Sequence, residues 1–130
     1  MAAFPKVHCA TGSLSLVQFN GNDNTGTNHI VPAAAGRTLR VVDCWLRSTG
    51  NAAGATAVVL EDTGGTDVVS CLVSAIQTGV IARVGDTDVT ASGIGTALGA
   101  GKGLRLTHTG SALSGTTTLE YCVLYTVEAS

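Results

Sequence analysis

The sequence predicts an all-β chain that folds as a single-domain antiparallel β-sandwich, jelly-roll-like, with seven to nine short strands. Three observations predict this class. The 130 residues include 18 Thr and 15 Val, whose branched side chains favour strands. The 17 Gly supply turns. Apolar residues also recur at every second position in short segments separated by turn residues, a pattern typical of sandwiches and jelly rolls.

The N-terminal part of the chain predicts one strand followed by one loop. Alternation in the early strand places Leu14, Leu16 and Gln18 on one face, and Val17 and Phe19 on the other. Residues 20–28 are rich in Asn and Gly, which tolerate left-handed backbone conformations. We therefore expect a loop of about nine residues there.

Residues 38–48 form the next predicted strand, and both of its faces are apolar. Strict alternation places Val42, Cys44 and Leu46 on one face, and Leu39, Val41, Asp43, Trp45 and Arg47 on the other. Trp45 then has two interpretations. It lies on an outer face that a subunit interface covers, where Trp and Arg are enriched, or it is a core residue beneath a second layer. The sequence leaves both open.

The middle of the chain contains the clearest hairpin. Strands are predicted at residues 55–62 and 67–74, and the turn between them is Thr63-Gly-Gly-Thr66. A short strand follows at 79–84, ended by Gly85 and Asp86. Residues 90–100 contain three glycines that would each cost about 1 kcal/mol in a helix, so we predict a loop or a single turn there.

The C-terminal part predicts a strand at 103–108, a small-residue connection at 109–115 and a closing strand. In the closing strand Leu119, Tyr121, Val123, Tyr125 and Val127 alternate with Thr118, Glu120, Cys122, Thr126 and Glu128. Leu124 is the one break in the polar face. A slip of one residue would expose five apolar side chains, so we expect a firm register.

Composition excludes some functions and predicts one domain. Charged residues make up 12 %, against about 25 % in ordinary proteins, and the net charge is −2. This argues against nucleic-acid binding, which leaves a basic footprint. No window approaches the ~20 apolar residues of a membrane span. We expect residues 1–130 to form one β-sandwich domain, with 1–12 as a possible extended N-terminal arm that folds onto its own subunit or reaches a neighbour.

The scarcity of charge on the surface has two explanations. One is a neutral polar surface on a stable β domain, and the other is a surface that partner subunits cover. We favour the second, because the chain is also unusually apolar for its size, with a mean hydropathy of +0.35.

The four cysteines are predicted to be free thiols. Cys9, Cys44, Cys71 and Cys122 contain no CxxC pair, which argues against a zinc ribbon or a redox motif. The N-terminus has no apolar signal-peptide segment, so we expect a reducing compartment and free thiols. Cys44, Cys71 and Cys122 lie in apolar strand-like segments, and we predict that they pack as small core hydrophobes.

Two glycine-rich segments resemble catalytic loops only in part. Residues 99–103 share Gly-Lys with phosphate loops, but the spacing differs and the segment precedes a strand, so no helix N-terminus would face a phosphate. Residues 110–115 lack the spacing of the G-x-S-x-G nucleophile elbow.

Histidines and acids also form no recognisable site. His8, His29 and His108 share no spacing that would direct two of them to one metal from one element. Asp86-Thr-Asp88 and the Asn-rich loop lack EF-hand spacing, and Asx turns are the simpler explanation. Glu61 and Asp62 are adjacent at a strand end rather than across a cleft. We therefore predict no catalytic residue, no cofactor-binding residue, no metal ligand, no cofactor and no enzymatic activity.

Residues 95–125 combine a Gly-Lys-Gly turn at 101–103, a Leu-Arg-Leu strand at 104–106, a Thr-Gly-Ser loop at 109–111 and a closing aromatic strand. In these features the segment resembles the C-terminal half of the head decoration (cement) proteins of tailed bacteriophages, which are small virion structural proteins. Tail-fibre modules share this combination of turn, short strand, loop and closing strand. The resemblance implies a β-rich, non-enzymatic, often trimeric protein that clamps neighbouring capsid subunits from outside. No functional residue can be carried over, because the family has no fixed site motif to match.

The sequence thus predicts a non-enzymatic structural virion protein that binds the outside of a phage capsid and stabilises neighbouring capsid subunits. The expected partners are further copies of the chain, as a homotrimer, and the major capsid protein, with no nucleic acid and no membrane. The expected location is the virion capsid surface, after assembly in the host bacterial cytoplasm. The alternative is a receptor- or carbohydrate-binding module of a tail fibre or baseplate, with 20–28 as its loop. The five aromatic residues count against this alternative.

Overall fold

The computed structural model describes residues 6–21, 26–115 and 118–129, and these form two antiparallel sheets. The four-stranded sheet has the order β1-β9-β3-β6 and the five-stranded sheet the order β2-β8-β4-β5-β7. The strands are β1 Val7–Ser15, β2 His29–Val31, β3 Arg37–Ser48, β4 Ala53–Asp62, β5 Asp67–Leu72, β6 Ile81–Arg83, β7 Val89–Thr90, β8 Leu104–Ser114 and β9 Thr118–Ala129.

These two sheets confirm the predicted all-β antiparallel sandwich. Nine strands among the described residues lie at the upper end of the predicted number. The jelly-roll connectivity stays a prediction. The hydrophobic core lies between the sheets, and its most deeply buried side chains include Leu39, Val41, Val58, Leu104, Leu106 and Val123.

The predicted early strand ends at Ser15, and the expectation of alternation through Phe19 was wrong. Leu16–Phe19 form one turn of helix, α1. The Ser15 hydroxyl accepts a hydrogen bond from the Gln18 backbone N–H at 3.2 Å, and the Gln18 side-chain oxygen accepts one from the Ser15 N–H at 2.9 Å. This reciprocal capping box stabilises the start of a helix. The buried Phe19 then lies beside His108, with the two ring centroids 5.9 Å apart.

Strand β3 matches its predicted bounds to within one residue, but its faces change partway along. The register against β9 shifts between Val41 and Asp43, which leaves Val42 as an extra residue, 39 % exposed. A β-bulge of this kind reverses the alternation. The prediction that Leu39 and Val41 lie on the face opposite Cys44 and Leu46 was therefore wrong, since all four side chains are in the core.

The predicted connection at 109–115 is also wrong, because β8 continues to Ser114. Small residues allow β4 and β8 to approach closely here. A Cβ on Gly54 would lie 2.5 Å from the Ala112 carbonyl oxygen. Gly110 has a φ of 77° beside a register shift, a conformation that favours glycine.

The bounds of β5 and β6 also differ from the sequence prediction. β5 ends at Leu72, and the chain then forms a 3₁₀ turn over Val73–Ala75. The strand predicted at 79–84 is shorter in the structure and covers Ile81–Arg83. β2 and β7 were not predicted, because three and two residues are too short to show a period.

The loop predicted at 90–100 forms no helix and ties the two sheets together. The Gly95 N–H donates to the Val41 carbonyl at 2.8 Å, on β3. The Gly93 N–H donates to the Val68 carbonyl at 3.0 Å, on β5. Since β3 and β5 belong to different sheets, this loop closes one side of the sandwich.

The N-terminal segment lies within the subunit's own sheet from Val7 onward. β1 pairs with β9 from Val7 opposite Thr126 to Ser15 opposite Thr118. Residues 1–5 of the predicted arm, and residues 22–25 of the predicted Asn-rich loop, lie outside the described residues. Within the described ranges, no helix has the length and apolar character needed to cross a bilayer.

Candidate interaction surface

The outer face of the four-stranded sheet carries a strip of apolar and sulfur-containing side chains. Cys9 lies opposite Leu124 across β1 and β9, and Cys122 lies opposite Trp45 across β9 and β3. Because side chains alternate across a strand, residues paired in this way share a face. We define the apolar strip as Val7, Cys9, Cys122, Leu124, Trp45 and Ile81.

The apolar strip is separate from the hydrophobic core. None of its six members belongs to the core cluster or to the side chains packed against that cluster. Val7 is 52 % exposed and Ile81 is 44 % exposed, while Trp45 and Leu124 are half-buried. The structure thus decides between the two interpretations of Trp45: it lies on the outer face, not in the core.

Two ion pairs between β3 and β9 flank the strip. The Arg47 Nε lies 2.7 Å from a Glu120 carboxylate oxygen, and the Arg40 Nε lies 3.1 Å from a Glu128 carboxylate oxygen. Each pair is at least a third exposed, so each contributes about 0–1 kcal/mol to folding. Asp43 lies opposite Leu124, and Arg83 lies opposite Trp45, on the same face. The outer face therefore mixes apolar side chains with charges of both signs, and Trp and Arg are residue types enriched at protein interfaces.

Cys122 corrects the sequence prediction for the cysteines. It was expected in the core, but its position in β9 places it on the outer face, half-buried, with its Sγ 3.5 Å from the Cys9 Sγ. Cys44 and Cys71 are buried, as predicted. Burial raises the pKa of Cys44 to about 12 and that of Cys71 to about 11, so both stay protonated at neutral pH.

The three histidines occupy separate places in the fold. His8 stacks on Tyr125 with ring centroids 5.4 Å apart, His108 lies beside Phe19, and His29 lies on β2. In the part of the chain that the structure describes, no group of three or more His, Cys, Asp or Glu side chains could hold a metal ion.

The adjacent acids Glu61 and Asp62 have structural partners. The Asp62 carboxylate accepts hydrogen bonds from the N–H groups of Gly64 and Thr66, at 2.8 and 3.0 Å, and so orders the hairpin turn. A Glu61 carboxylate oxygen lies 2.7 Å from the Arg105 Nε. Burial raises the pKa of Glu61, and Arg105 partly opposes this, while the nearby Asp67 raises it further.

The segment that partly resembles a phosphate loop is a tight crossing of backbones. A Cβ on Gly103 would lie 2.1 Å from the Val31 carbonyl oxygen, so only glycine fits there. Gly101 has a φ of 76°, and Lys102 extends toward the turn at Gly64. The Gly103 requirement is therefore one of packing rather than of ligand binding.

The described residues enclose no pocket. Comparison of the sequence with protein-family models and curated proteins, and of the fold with solved structures, finds no match. The apolar strip makes the outer face of the four-stranded sheet the candidate functional surface. The sequence signal for this face was Leu124, the one apolar residue on the polar face of the last strand.

Proposed function

We propose that this chain is a non-enzymatic structural virion protein that binds the outside of a phage capsid and stabilises neighbouring capsid subunits. The observation that carries the proposal is the apolar strip, which lies outside the core on a two-layer β scaffold. A cement protein works by burying surface on its neighbours, and it needs such a face rather than a cleft.

The position of the strip suits a docking surface. Its centre lies on β9 and β3, the two inner strands of the four-stranded sheet, and β9 is hydrogen-bonded on both sides. Leu124, Cys122 and Trp45 are therefore presented from strands whose backbone is held by neighbours. A preorganised face loses less conformational entropy on binding than a flexible loop does.

The residue types on the face also suit a protein partner. Trp45 is the residue type most often found as an energetic anchor at the centre of an interface. Arg47 and Glu120 beside it provide a polar rim. A sheet face on which apolar side chains stay partly exposed favours association with other proteins.

The resemblance to decoration proteins supports the same function. Residues 95–125 include β8 and most of β9, one strand from each sheet. From that resemblance we propose a homotrimer that contacts the major capsid protein, on the capsid surface of the virion, after assembly in the host bacterial cytoplasm. Closed threefold symmetry would bury part of a surface that carries few charges.

The test is co-sedimentation of the purified chain with DNA-free capsids assembled from the major capsid protein alone. We expect the wild-type chain to sediment with the capsids and Trp45→Ala to lose at least about tenfold in affinity, the cost of one modest hot spot. Leu72→Ala is the matched control, because Leu72 is 45 % exposed but lies on the five-stranded sheet. Equal binding by wild type and Trp45→Ala would contradict the proposed surface, and no binding by wild type would contradict the function.

The tail-fibre or baseplate module is not proposed as a second function. Its predicted loop at 20–28 lies partly outside the described residues. No observation on the described residues favours a sugar or receptor site.

A further inference from the structure

We propose that Cys9 and Cys122 form a disulfide-exchange site, at which a low-molecular-weight disulfide such as oxidised glutathione links β1 covalently to β9. The inference concerns the chain by itself and does not depend on the proposed function. It rests on the placement of the two thiols on one face of the sheet, on their separation and on their accessibility.

The strand register places the two thiols within reach of each other. Thr11 lies opposite Cys122, and Cys9 lies opposite Leu124, so the cysteines are diagonal neighbours across the β1–β9 pair. Their Sγ atoms are 3.5 Å apart. A disulfide requires about 2.05 Å, so the sulfurs must approach by about 1.5 Å. β1 is an edge strand with one neighbour, which leaves it room to make that adjustment.

The four cysteines differ in their access to a reagent. Cys9 is exposed and Cys122 is half-buried, and both lie on the outer face. Cys44 and Cys71 belong to the buried core cluster. A disulfide in solution therefore reaches Cys9 first, and burial protects the two core thiols in the folded chain. The selectivity follows from the fold, because the four thiols have the same intrinsic chemistry.

The exchange takes place in two balanced steps. The Cys9 thiolate attacks one sulfur of oxidised glutathione, the glutathione S–S bond breaks, and one glutathione leaves as a thiolate. The Cys122 thiolate then attacks the Cys9 sulfur of the mixed disulfide, and the second glutathione leaves. The two thiol protons of the protein end on the two glutathione thiolates. The protein dithiol loses two electrons, and the glutathione disulfide gains them.

The link would join two points that are far apart in sequence. Cys9 and Cys122 are 113 residues apart, so the bond would close nearly the whole chain into a loop. Closing a long loop restricts the unfolded chain strongly, which stabilises the fold. The bond would also hold β1 against β9 within the apolar strip, and a reducing environment would release it.

The experiment incubates the native chain in glutathione buffers of increasing oxidised fraction, quenches the exchange with acid and maps the peptides without reduction. We expect a Cys9–Cys122 linked peptide and a loss of about 2 Da per chain, with Cys44 and Cys71 still reduced. Cys9→Ser and Cys122→Ser should each abolish the linked species, and the matched control Cys71→Ala should retain it. Glutathione that accumulates on Cys9 with no internal link, a link between two chains, or four reduced thiols at every ratio would each overturn the proposal.

Thermal unfolding gives a second readout. The oxidised wild-type chain should unfold at least about 5 °C above the reduced chain, because the link spans so much of the sequence. Cys9→Ser should show no difference between the two buffers. Equal thermal unfolding midpoints for oxidised and reduced wild type would show that no stabilising disulfide forms between β1 and β9.

Discussion

Trp45 on β3 and Cys122 on β9 lie directly opposite each other on the outer face of the four-stranded sheet. The residues that follow them in sequence, Leu46 and Val123, are buried in the core at 3 % and 0 % exposure. One step along either strand therefore separates a surface side chain from a core side chain. A substitution at a surface position such as Trp45 should therefore mainly affect binding to a partner, and one at the next position, Leu46, should mainly affect the stability of the fold.

Trp45→Ala should lower the free energy of unfolding less than Leu46→Ala does. Trp45 is half-buried on the outer face, so its truncation removes partial burial and cross-strand contacts and should cost about 1–2 kcal/mol. Leu46 is buried in the core, and truncation of a buried leucine costs about 2–5 kcal/mol. Urea denaturation measures both values. A loss for Trp45→Ala as large as that for Leu46→Ala would place Trp45 in the core after all.

Ser15→Ala should lower the free energy of unfolding by about 1 kcal/mol. The substitution removes the hydroxyl that accepts from the Gln18 N–H, and so breaks the capping box at the start of α1. Ser13→Ala, at an exposed position on β1, is the control and should change stability by less than about 0.5 kcal/mol. Chemical denaturation of the two variants gives the comparison, and equal losses would contradict the role of the cap.

Gly103→Ala should cost about 3 kcal/mol or more, because the new Cβ would lie 2.1 Å from the Val31 carbonyl oxygen and backbone would have to move. Gly36→Ala is the control, because alanine at that position meets backbone strain without a steric clash. Gly36 has a φ of 82° and open space around it, so alanine there should cost about 1–2 kcal/mol. Thermal or urea unfolding should rank the two variants in this order, and the reverse order would mean that the crossing at Gly103 is looser than described.

Glu61 should make stability depend on acid pH. Burial raises its folded pKa above the ordinary 4.5, so the folded chain holds the proton more tightly than the unfolded chain. The stability that the tighter proton binding by Glu61 supplies is fully present below pH 4.5. It is lost as the pH rises through the raised pKa of Glu61 in the folded chain. In Glu61→Gln this dependence disappears. Unfolding free energies between about pH 4 and about pH 7 should therefore fall more steeply for wild type than for the variant.

A direct titration supplies the control for this prediction. Carboxyl NMR shifts of Glu61 in the folded chain should give a midpoint above 4.5. A midpoint at or below that value would mean that the attraction of Arg105, rather than burial, decides the charge of Glu61.

Sequence periodicity predicted the longer strands well and failed where a local hydrogen bond or an extra residue interrupted it. The alternation in β9 correctly assigned Leu119 and Val123 to the core. At Ser15 the capping box ended the strand, although Ser-x-x-Gln was visible in the sequence. At Val42 the bulge reversed the faces of β3, and no residue type there indicates it. The faces of β3, and with them the place of Trp45, needed the register against β9.

The sequence by itself determined the class of the fold and the low charge of the surface, because β-branched residues, glycines and period-two alternation act locally along the chain. Only the tertiary structure decided which side chains share the outer face. Cys9 and Cys122 are 113 residues apart in sequence, and the antiparallel pairing of β1 with β9 brings their sulfurs to 3.5 Å. Strand pairing is a long-range contact that local propensity does not encode, and the candidate surface and the proposed thiol site both depend on it.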